Sequence, residues 1–326
     1  MIWLTWRQFR GQAVTAVAVL AALAIYLVVL GLQIRNTYDA NVGCGAGCSA
    51  FDARDAMDNR YFTPLLLGGL LVVLVPALVG AFWGAPLIAR ELETGTHRLV
   101  WNQSLTRRRW LAVKLGFVTL AGVVLTGALS LLVTWAASPY DKVSGSRFEP
   151  LTFPTRNIVP VGYAVFAVVA GIAIGLLARR TVLAMAITLA AFIALQVLMP
   201  TVIRPHLLSP VTESVAFTAG ATQNFSVSPQ GVVVDGYTVP GAWVLTPRPE
   251  LLDPADRAVT RDQLEKCLKG EFRKDMACIE TLDLHLVLSY HPGSRYWLFQ
   301  WLESGIYLVL AGLLAGFAFW RIRRVG

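Results

Sequence analysis

Long apolar segments separated by short polar ones dominate this chain. Six of the apolar segments approach or exceed the roughly 20 residues that an α-helix needs to cross a hydrocarbon core of about 30 Å. These segments lie near 13–34, 64–85, 112–137, 158–178, 181–203 and 303–320. The pattern therefore predicts six transmembrane helices. We do not expect the first to be a cleaved signal peptide, because its apolar run is long and no small-residue cleavage site follows it before Arg35.

The polar segment 204–302 differs from the others because it is long enough to fold by itself. Alternating side chains over 231–239 predict a strand, and residues from Thr260 to Lys269, followed by Gly270, predict a capped helix. The predicted fold is an all-α polytopic membrane protein. A mixed α/β extracellular subdomain is expected between helices 5 and 6, and residues 303–326 form helix 6 with a basic tail.

Residues 1–12 have an amphipathic helical pattern of their own. Apolar side chains recur on one side, and the residues that suit the headgroup layer of a membrane are Trp3, Trp6, Arg7 and Arg10. One interpretation is a separate interfacial helix. The other is that this segment extends the first membrane helix and places its aromatic side chains in the usual interfacial belt.

Composition and charge identify the class and the orientation. The 326 residues are 56% hydrophobic and only 15% charged, and the mean hydropathy is +0.58, which is typical of an integral membrane protein. With the N-terminus inside, the inner segments hold 13 of the 28 Lys and Arg residues and two acidic residues, Glu91 and Glu93. The positive-inside rule then predicts a plasma-membrane protein with both termini cytoplasmic. The basic residues are scattered over four helix ends, so no nucleic-acid partner is expected.

All four cysteines fall in segments that this orientation places outside the cell. An oxidising exterior predicts disulfides for Cys44, Cys48, Cys267 and Cys278. Four cysteines permit three pairings, so bonds within or between loops are both open. A bond between Cys267 and Cys278 would close the end of the predicted helix onto the next segment. Four free thiols are the alternative.

The spans contain few side chains that could bind ions or take part in catalysis. Their side chains are almost all uncharged, and Glu303 lies with Gln300 at the outer mouth of helix 6, where we expect an outer gate. Glu303 is also a candidate for a relay, or it is a solvated anchor. There is no Gly-rich phosphate loop ending in Gly-Lys-Ser/Thr, no hydrolase constellation, and the four histidines are dispersed. We therefore predict no enzymatic activity, no metal and no cofactor bound by this chain.

The charged segment 84–114 is the clearest candidate for a site. Helix 2 is expected to run past the membrane through Pro86 and to break at Gly95. Leu99 and Trp101 would then be apolar side chains on a charged cytoplasmic loop, which a protein partner would bury. The alternative is that positive-inside bias alone produced the segment and that Trp101 dips into the interface.

Two motifs carry a resemblance to a known family. The pattern Glu91-x-Glu93-x-Gly95-Thr96, followed by Leu99, Thr106-Arg107 and Lys114, resembles the cytoplasmic loop after the second helix in permease subunits of type-2 ABC exporters. Ser104 stands where that pattern has proline. The second motif is similar to the start of the last helix in actinobacterial members, and it reads His291-Pro292-x-Ser294-Arg295-Tyr296-Trp297-x-Phe299-Gln300.

The resemblance implies that transport and ATP hydrolysis are carried out by separate chains. A separate ABC-type ATPase would hold ATP and Mg, and it would dock against loop 84–114 and the N-terminal helix. A second permease chain, identical or a paralogue, would complete the pathway, lined by helices two and five, for export of an amphipathic, drug- or lipid-like substrate. The residues expected to couple the two proteins are Arg90, Glu91, Glu93, Gly95, Thr96, Arg98, Leu99, Trp101 and Arg107.

Two other functions remain open. The chain could be a membrane sensor or structural subunit that binds a ligand through 204–302. It could also be a membrane-embedded enzyme that modifies lipid at the outer face.

Overall fold

The computed structural model describes residues 2–42, 50–96, 106–145, 147–222, 224–228 and 231–324. Within these residues, six helices are long and apolar enough to cross a membrane, so the predicted number is confirmed. We refer to them in chain order as the first to sixth spans. They are Ala18–Ala40, Ala56–Glu93, Arg107–Ser144, Val159–Ala178, Thr181–His206 and Gly293–Arg324.

Most of the helices that form the spans are longer than the apolar segments that predicted them. Their bounds are α1 Ile2–Val42, α2 Ala50–Leu78, α3 Ala85–Glu93, α4 Arg107–Ser144, α5 Val159–Ala178 and α6 Thr181–Leu198. A π-helical turn, Val79–Gly84, joins α2 to α3. A second π-helical turn, Met199–Ile203, and a short 3₁₀ turn, Arg204–His206, extend α6. The membrane part is therefore built from continuous helices with two local changes of helical winding.

The first helix runs unbroken from Ile2 to Val42. Residues 2–12 therefore continue the first span along one axis, which is the geometry of the second interpretation of this segment. The side chains of Trp3, Trp6, Arg7 and Arg10 lie outside the described part of the chain. Their placement in the headgroup layer stays a prediction.

The fourth span lies at the centre of the bundle. Its apolar window is 72% buried, whereas the windows of the first and fifth spans are only 22% buried. Arg179 and Arg180 alone separate it from the fifth span, and Arg179 adopts φ +51° to make the reversal. The two spans are packed neighbours, as a connection of two residues requires.

Glycines allow the second and fourth spans to touch backbone to backbone. A Cβ atom at Gly80 would lie 2.5 Å from the carbonyl oxygen of Ala167, and one at Gly175 would lie 2.6 Å from that of Ala85. Gly84 and Gly171 make similarly close approaches. Only glycine fits at such contacts. The four glycines of these two spans thus serve packing within the chain, whereas Gly312 and Gly316 of the sixth span face open space.

The segment between the fifth and sixth spans folds into the expected α/β subdomain. Its strands are β1 Val211–Ala216, β2 Asn224–Ser228, β3 Gly231–Asp235, β4 Trp243–Val244, β5 Leu251–Leu252 and β6 His285–His291. Antiparallel pairing gives the order β1-β6-β4, with β5 also on β6, and a separate β2-β3 hairpin. The alternation over 231–239 yields a strand only to Asp235, with Val232 and Val234 buried. The helix that follows β6, α9 Tyr296–Arg321, forms most of the sixth span.

Two short helices and a disulfide complete the subdomain. Residues predicted to form a helix to Lys269 form only α7 Arg261–Leu264, capped by Thr260 and Gln263, because the chain turns before Gly270 at φ +87°. Cys267 and Cys278 are bonded, with Cα atoms 5.4 Å apart, and tie this turn to α8 Phe272–Glu280. Cys44 and Cys48 lie outside the described residues, so their pairing stays a prediction.

Candidate functional site

The helical extension of the second span ends where the sequence predicted a break. The hydroxyl of Thr94 donates to the carbonyl oxygen of Arg90 at 2.9 Å, and Gly95 follows with φ +73°, a conformation that glycine adopts freely. Of the expected coupling residues, Arg98, Leu99 and Trp101 lie outside the described residues. Those that are described are Arg90, Glu91, Glu93, Gly95, Thr96 and Arg107.

Glu91 joins this extension to the third span. Its carboxylate forms an ion pair with the ammonium group of Lys114. The same ammonium donates to the carbonyl oxygen of Leu87 at 3.3 Å and lies 4.4 Å from the ring centroid of Trp110. The pair is partly shielded from solvent, with the Lys114 side chain 16% and the Glu91 side chain 31% exposed. The lysine of the sequence motif is therefore the partner of its first glutamate.

Glu93 joins the extension to the fifth span. Its Oε2 atom accepts hydrogen bonds from the backbone N–H of Thr181 at 2.9 Å and from the Thr181 hydroxyl at 2.6 Å. Thr181 is the first residue of α6, and the side chain of Arg180 before it gives no cap. Glu93 therefore supplies the acceptor, and the negative charge, that the start of a helix attracts.

The spacing of the two glutamates explains why they reach different helices. Residues two apart on an α-helix point about 200° away from each other, since each residue turns about 100°. Glu91 on one side meets the third span and Glu93 on the other meets the fifth. The Glu-x-Glu spacing carries this signal, whereas the motif predicts only that both residues couple the chain to a partner.

The surroundings of this site are strongly basic. We call this part of the bundle the basic end, and the opposite part, next to the sheet, the subdomain end. Thr106 caps the third span by accepting from the N–H of Arg109 at 3.4 Å, which places Arg107 in its first turn. The exposed arginines of the basic end in the described chain are Arg90, Arg108, Arg109, Arg179, Arg180, Arg323 and Arg324.

At the subdomain end, Glu303 lies in a fully buried polar cluster. Its carboxylate accepts from Arg204 Nε at 2.8 Å and from Arg204 Nη2 at 3.1 Å. The hydroxyl of Tyr163 donates to Glu303 Oε1 at 2.5 Å. Arg204 also lies over the ring of Phe153, 4.2 Å from its centroid. None of the three polar side chains is exposed, so the interpretation of Glu303 as a solvated anchor is wrong.

Arg204 adds a second charged side chain to the spans, which were predicted to be almost all uncharged apart from Glu303. The sequence boundary put Arg204 in the outer loop, whereas the fifth span continues to His206 and the sixth begins at Gly293. The ion pair therefore links the ends of two spans. The sequence missed it because an arginine 99 positions before a glutamate gives no local signal.

Gln300, the other expected gate residue, holds the chain that enters the fourth span. Its Oε1 atom accepts from the N–H of Val159 at 3.3 Å, and its Nε2 atom donates to the hydroxyl of Tyr296 at 3.1 Å. That hydroxyl also accepts from Asn157 Nδ2 at 2.8 Å. Gln300 and Glu303 thus act at the same end of the bundle, on neighbouring buried contacts.

A further buried ion pair lies at this end but does not involve the fifth span. Arg156 Nη2 lies 3.4 Å from Asp141 Oδ1, with side chains 4% and 13% exposed. Arg156 also donates to the carbonyl oxygen of Val133. This pair joins the end of the third span to the segment before the fourth.

The geometry defines a multi-pass membrane protein whose helices are tied at both ends by carboxylates. The chain belongs to the family described as ABC-2 membrane transporter related, whose model matches residues 17–204. The resemblance to an ABC-2 permease is thereby confirmed, and the likeness to actinobacterial members stays a prediction. Permeases of this family are membrane components of transporters and typically work with ABC ATPases. No curated protein and no solved structure matches the chain.

Proposed function

We propose that the chain is the membrane subunit of an ATP-driven exporter. A separate ABC-type ATPase, carrying ATP and Mg, binds the basic end from the cytoplasm. A second permease chain, either a copy of this one or a paralogue, completes the pathway. The family match supports a transporter subunit, and the contacts of Glu93 with Thr181 carry the proposal of coupling.

Those contacts provide a mechanical route. An ATPase that displaces α3 also displaces the start of the fifth span, because Glu93 binds the first residue of that helix. The third span follows through the pair of Glu91 with Lys114. A push can change the state of the bundle only if the ATPase binds the two states with different affinity.

The proposed substrate class rests on the apolar surfaces of the second and fifth spans. Within 64–82 and 182–198 the exposed side chains of these spans are all apolar, with Leu67, Leu74, Ile187 and Val197 each more than 40% exposed. An uncharged apolar lining favours amphipathic, drug-like or lipid-like molecules. The sheet subdomain between the fifth and sixth spans acts as a lid at the outer end, which favours export.

The test is co-purification with the candidate ATPase and ATP hydrolysis in vesicles that contain a fluorescent phospholipid as probe. Glu93→Lys places a positive charge at the start of the fifth span. We expect this variant to bind the ATPase but to lose probe-stimulated hydrolysis and probe export. Glu280→Lys is the matched control, because it reverses another exposed carboxylate in the subdomain.

Trp101→Ala tests the docking surface, and we expect it to weaken co-purification. If Glu93→Lys and Trp101→Ala both left co-purification and stimulated hydrolysis unchanged, the coupling proposal would be wrong. A chain that never binds an ATPase would instead favour the sensor or the lipid-modifying enzyme.

A further inference from the structure

The fifth span is held at its two ends and is loosely packed between them. Glu93 binds Thr181 at the basic end, and Glu303 binds Arg204 at the subdomain end. The apolar window of this span is only 22% buried, against 72% for the fourth. A helix with this distribution of contacts can shift as a unit once one end is released.

The ion pair at the subdomain end has a high desolvation cost for a contact that only holds two helices together. Removing two charges from water costs several kcal/mol per ion, so a buried ion pair often contributes little or nothing to net stability. Charged side chains within membrane spans usually mark function. Arg204 Nη1 has no hydrogen-bond partner among the described residues, so the cluster is also incompletely satisfied.

The helix changes its winding directly before Arg204. Met199–Ile203 form a π-helical turn with Pro200 at its start. Such turns are frequent at functional sites, and proline removes a backbone donor and loosens the helix. The chain can therefore bend between the lipid-facing part of the span and the buried arginine.

We propose that Arg204, Glu303 and Tyr163 form a latch that fixes the subdomain end of the fifth span in the closed state and separates when the gate opens. The latch deepens the proposed transport function and rests on it. Movement enters at Glu93, passes along α6, and is opposed by the ion pair until the bend at Met199–Ile203 releases Arg204. Opening brings water to the sixth span beside Glu303.

Ser304 provides a reporter for that opening. It is 4% exposed and lies against Gly162 of the fourth span. Ser304→Cys changes one atom, and its reaction with a membrane-impermeant maleimide can be followed in vesicles. Cys44 and Cys48 are replaced by serine in the parent, and the chain without the added cysteine gives the background.

In the reconstituted chain alone, we expect Glu303→Gln to speed labelling of Ser304→Cys roughly tenfold, which corresponds to about 1.4 kcal/mol in the opening equilibrium. Tyr163→Phe removes one hydrogen bond while keeping the ring, so its effect is smaller and its fold is preserved. Asp141→Asn is the matched control, since it neutralises the other buried pair, and labelling should stay at the parent rate.

In the complex with the ATPase, labelling should accelerate with ATP and not with ADP. Equal labelling of the parent, Glu303→Gln and Tyr163→Phe in the chain alone would overturn the latch. Constant labelling during ATP-driven export would also overturn it, while the transport proposal would stand. Absence of ATP-driven export with labelling still dependent on Glu303 would overturn the transport proposal and the gating role of the latch together.

Discussion

The two ends of the fifth span use the same chemical group in opposite surroundings. At the basic end, the carboxylate of Glu93 is exposed and binds the helix start at Thr181. At the subdomain end, the carboxylate of Glu303 is fully buried and binds Arg204. A charge interaction is several times stronger in a dry interior than in water. Water or a partner can therefore replace the exposed contact at a small cost in free energy. The buried contact has no such replacement, so it is either fully formed or fully broken.

The largest expected loss of stability comes from breaking the buried ion pair at the subdomain end. Arg204→Ala leaves Glu303 buried without its counter-charge, which costs about 3–5 kcal/mol in the free energy of unfolding. Glu93→Ala should cost clearly less, because water replaces the lost bonds. Thermal unfolding of both variants in detergent measures the difference. Equal losses would contradict the contrast between the ends.

The close contact of the fourth span with the second is tested by Gly171→Ala. A methyl group here would collide with backbone atoms of Gly80 and Ala85, and overpacking of this kind costs about 1–3 kcal/mol. Gly116→Ala is the control, because nothing lies within 4 Å of its added methyl group. The unfolding temperature of Gly171→Ala should fall, and that of Gly116→Ala should stay the same or rise.

A smaller effect is expected at the basic end from Lys114→Met. The variant removes the charge partner of Glu91, whose side chain is 31% exposed, so solvent limits the loss to about 1 kcal/mol. Denaturation in detergent at low and high salt measures it. The parent should lose part of its advantage over the variant in high salt, and an advantage insensitive to salt would contradict a solvent-screened pair.

The smallest effect is a pH dependence confined to the subdomain end. Burial lowers the pKa of His291 below its ordinary value of 6.5, and the charge of Arg295 lowers it further. The unfolded chain then binds a proton at a higher pH than the folded chain does. Stability from this residue is complete above pH 6.5 and falls as the pH drops below it.

His291→Phe fits the surrounding aromatic rings, since the imidazole already packs against Phe299 at 4.9 Å between centroids. We expect the unfolding temperature of the parent to fall between pH 7.5 and pH 5 by more than that of the variant. An identical decrease in both proteins would show that His291 does not contribute.

The sequence predicted the membrane architecture because local patterns determine it. Apolar length predicted all six spans, and the two residues between segments 158–178 and 181–203 are too few to separate the helices that they join. The contact of Gly80 with Gly171 joins two helices that no local pattern pairs. Alternation and caps predicted the kind of subdomain, while the lengths of β3 and α7 were decided by tertiary contacts.

The candidate site was only half predictable. Glu91, Glu93 and Lys114 stood out through the motif, yet their partners are helices of the same chain. Glu303 was recognised as unusual, but its burial depends on Arg204, which is distant in sequence and sits beyond the end of the apolar run. Charge pairing between remote helices follows from the three-dimensional fold, and no periodicity in the sequence encodes it.

The contact of the second and fourth spans also constrains how the protein is made. These helices meet without room for a lipid chain, although the third span lies between them in the sequence. During synthesis the surface at Gly80 and Gly84 lacks its partner until the fourth helix emerges, because Ala167 and Val168 are the residues that cover it. A nascent chain that stops before Val159 therefore holds three of the six spans and exposes the glycine surface of the second to its surroundings.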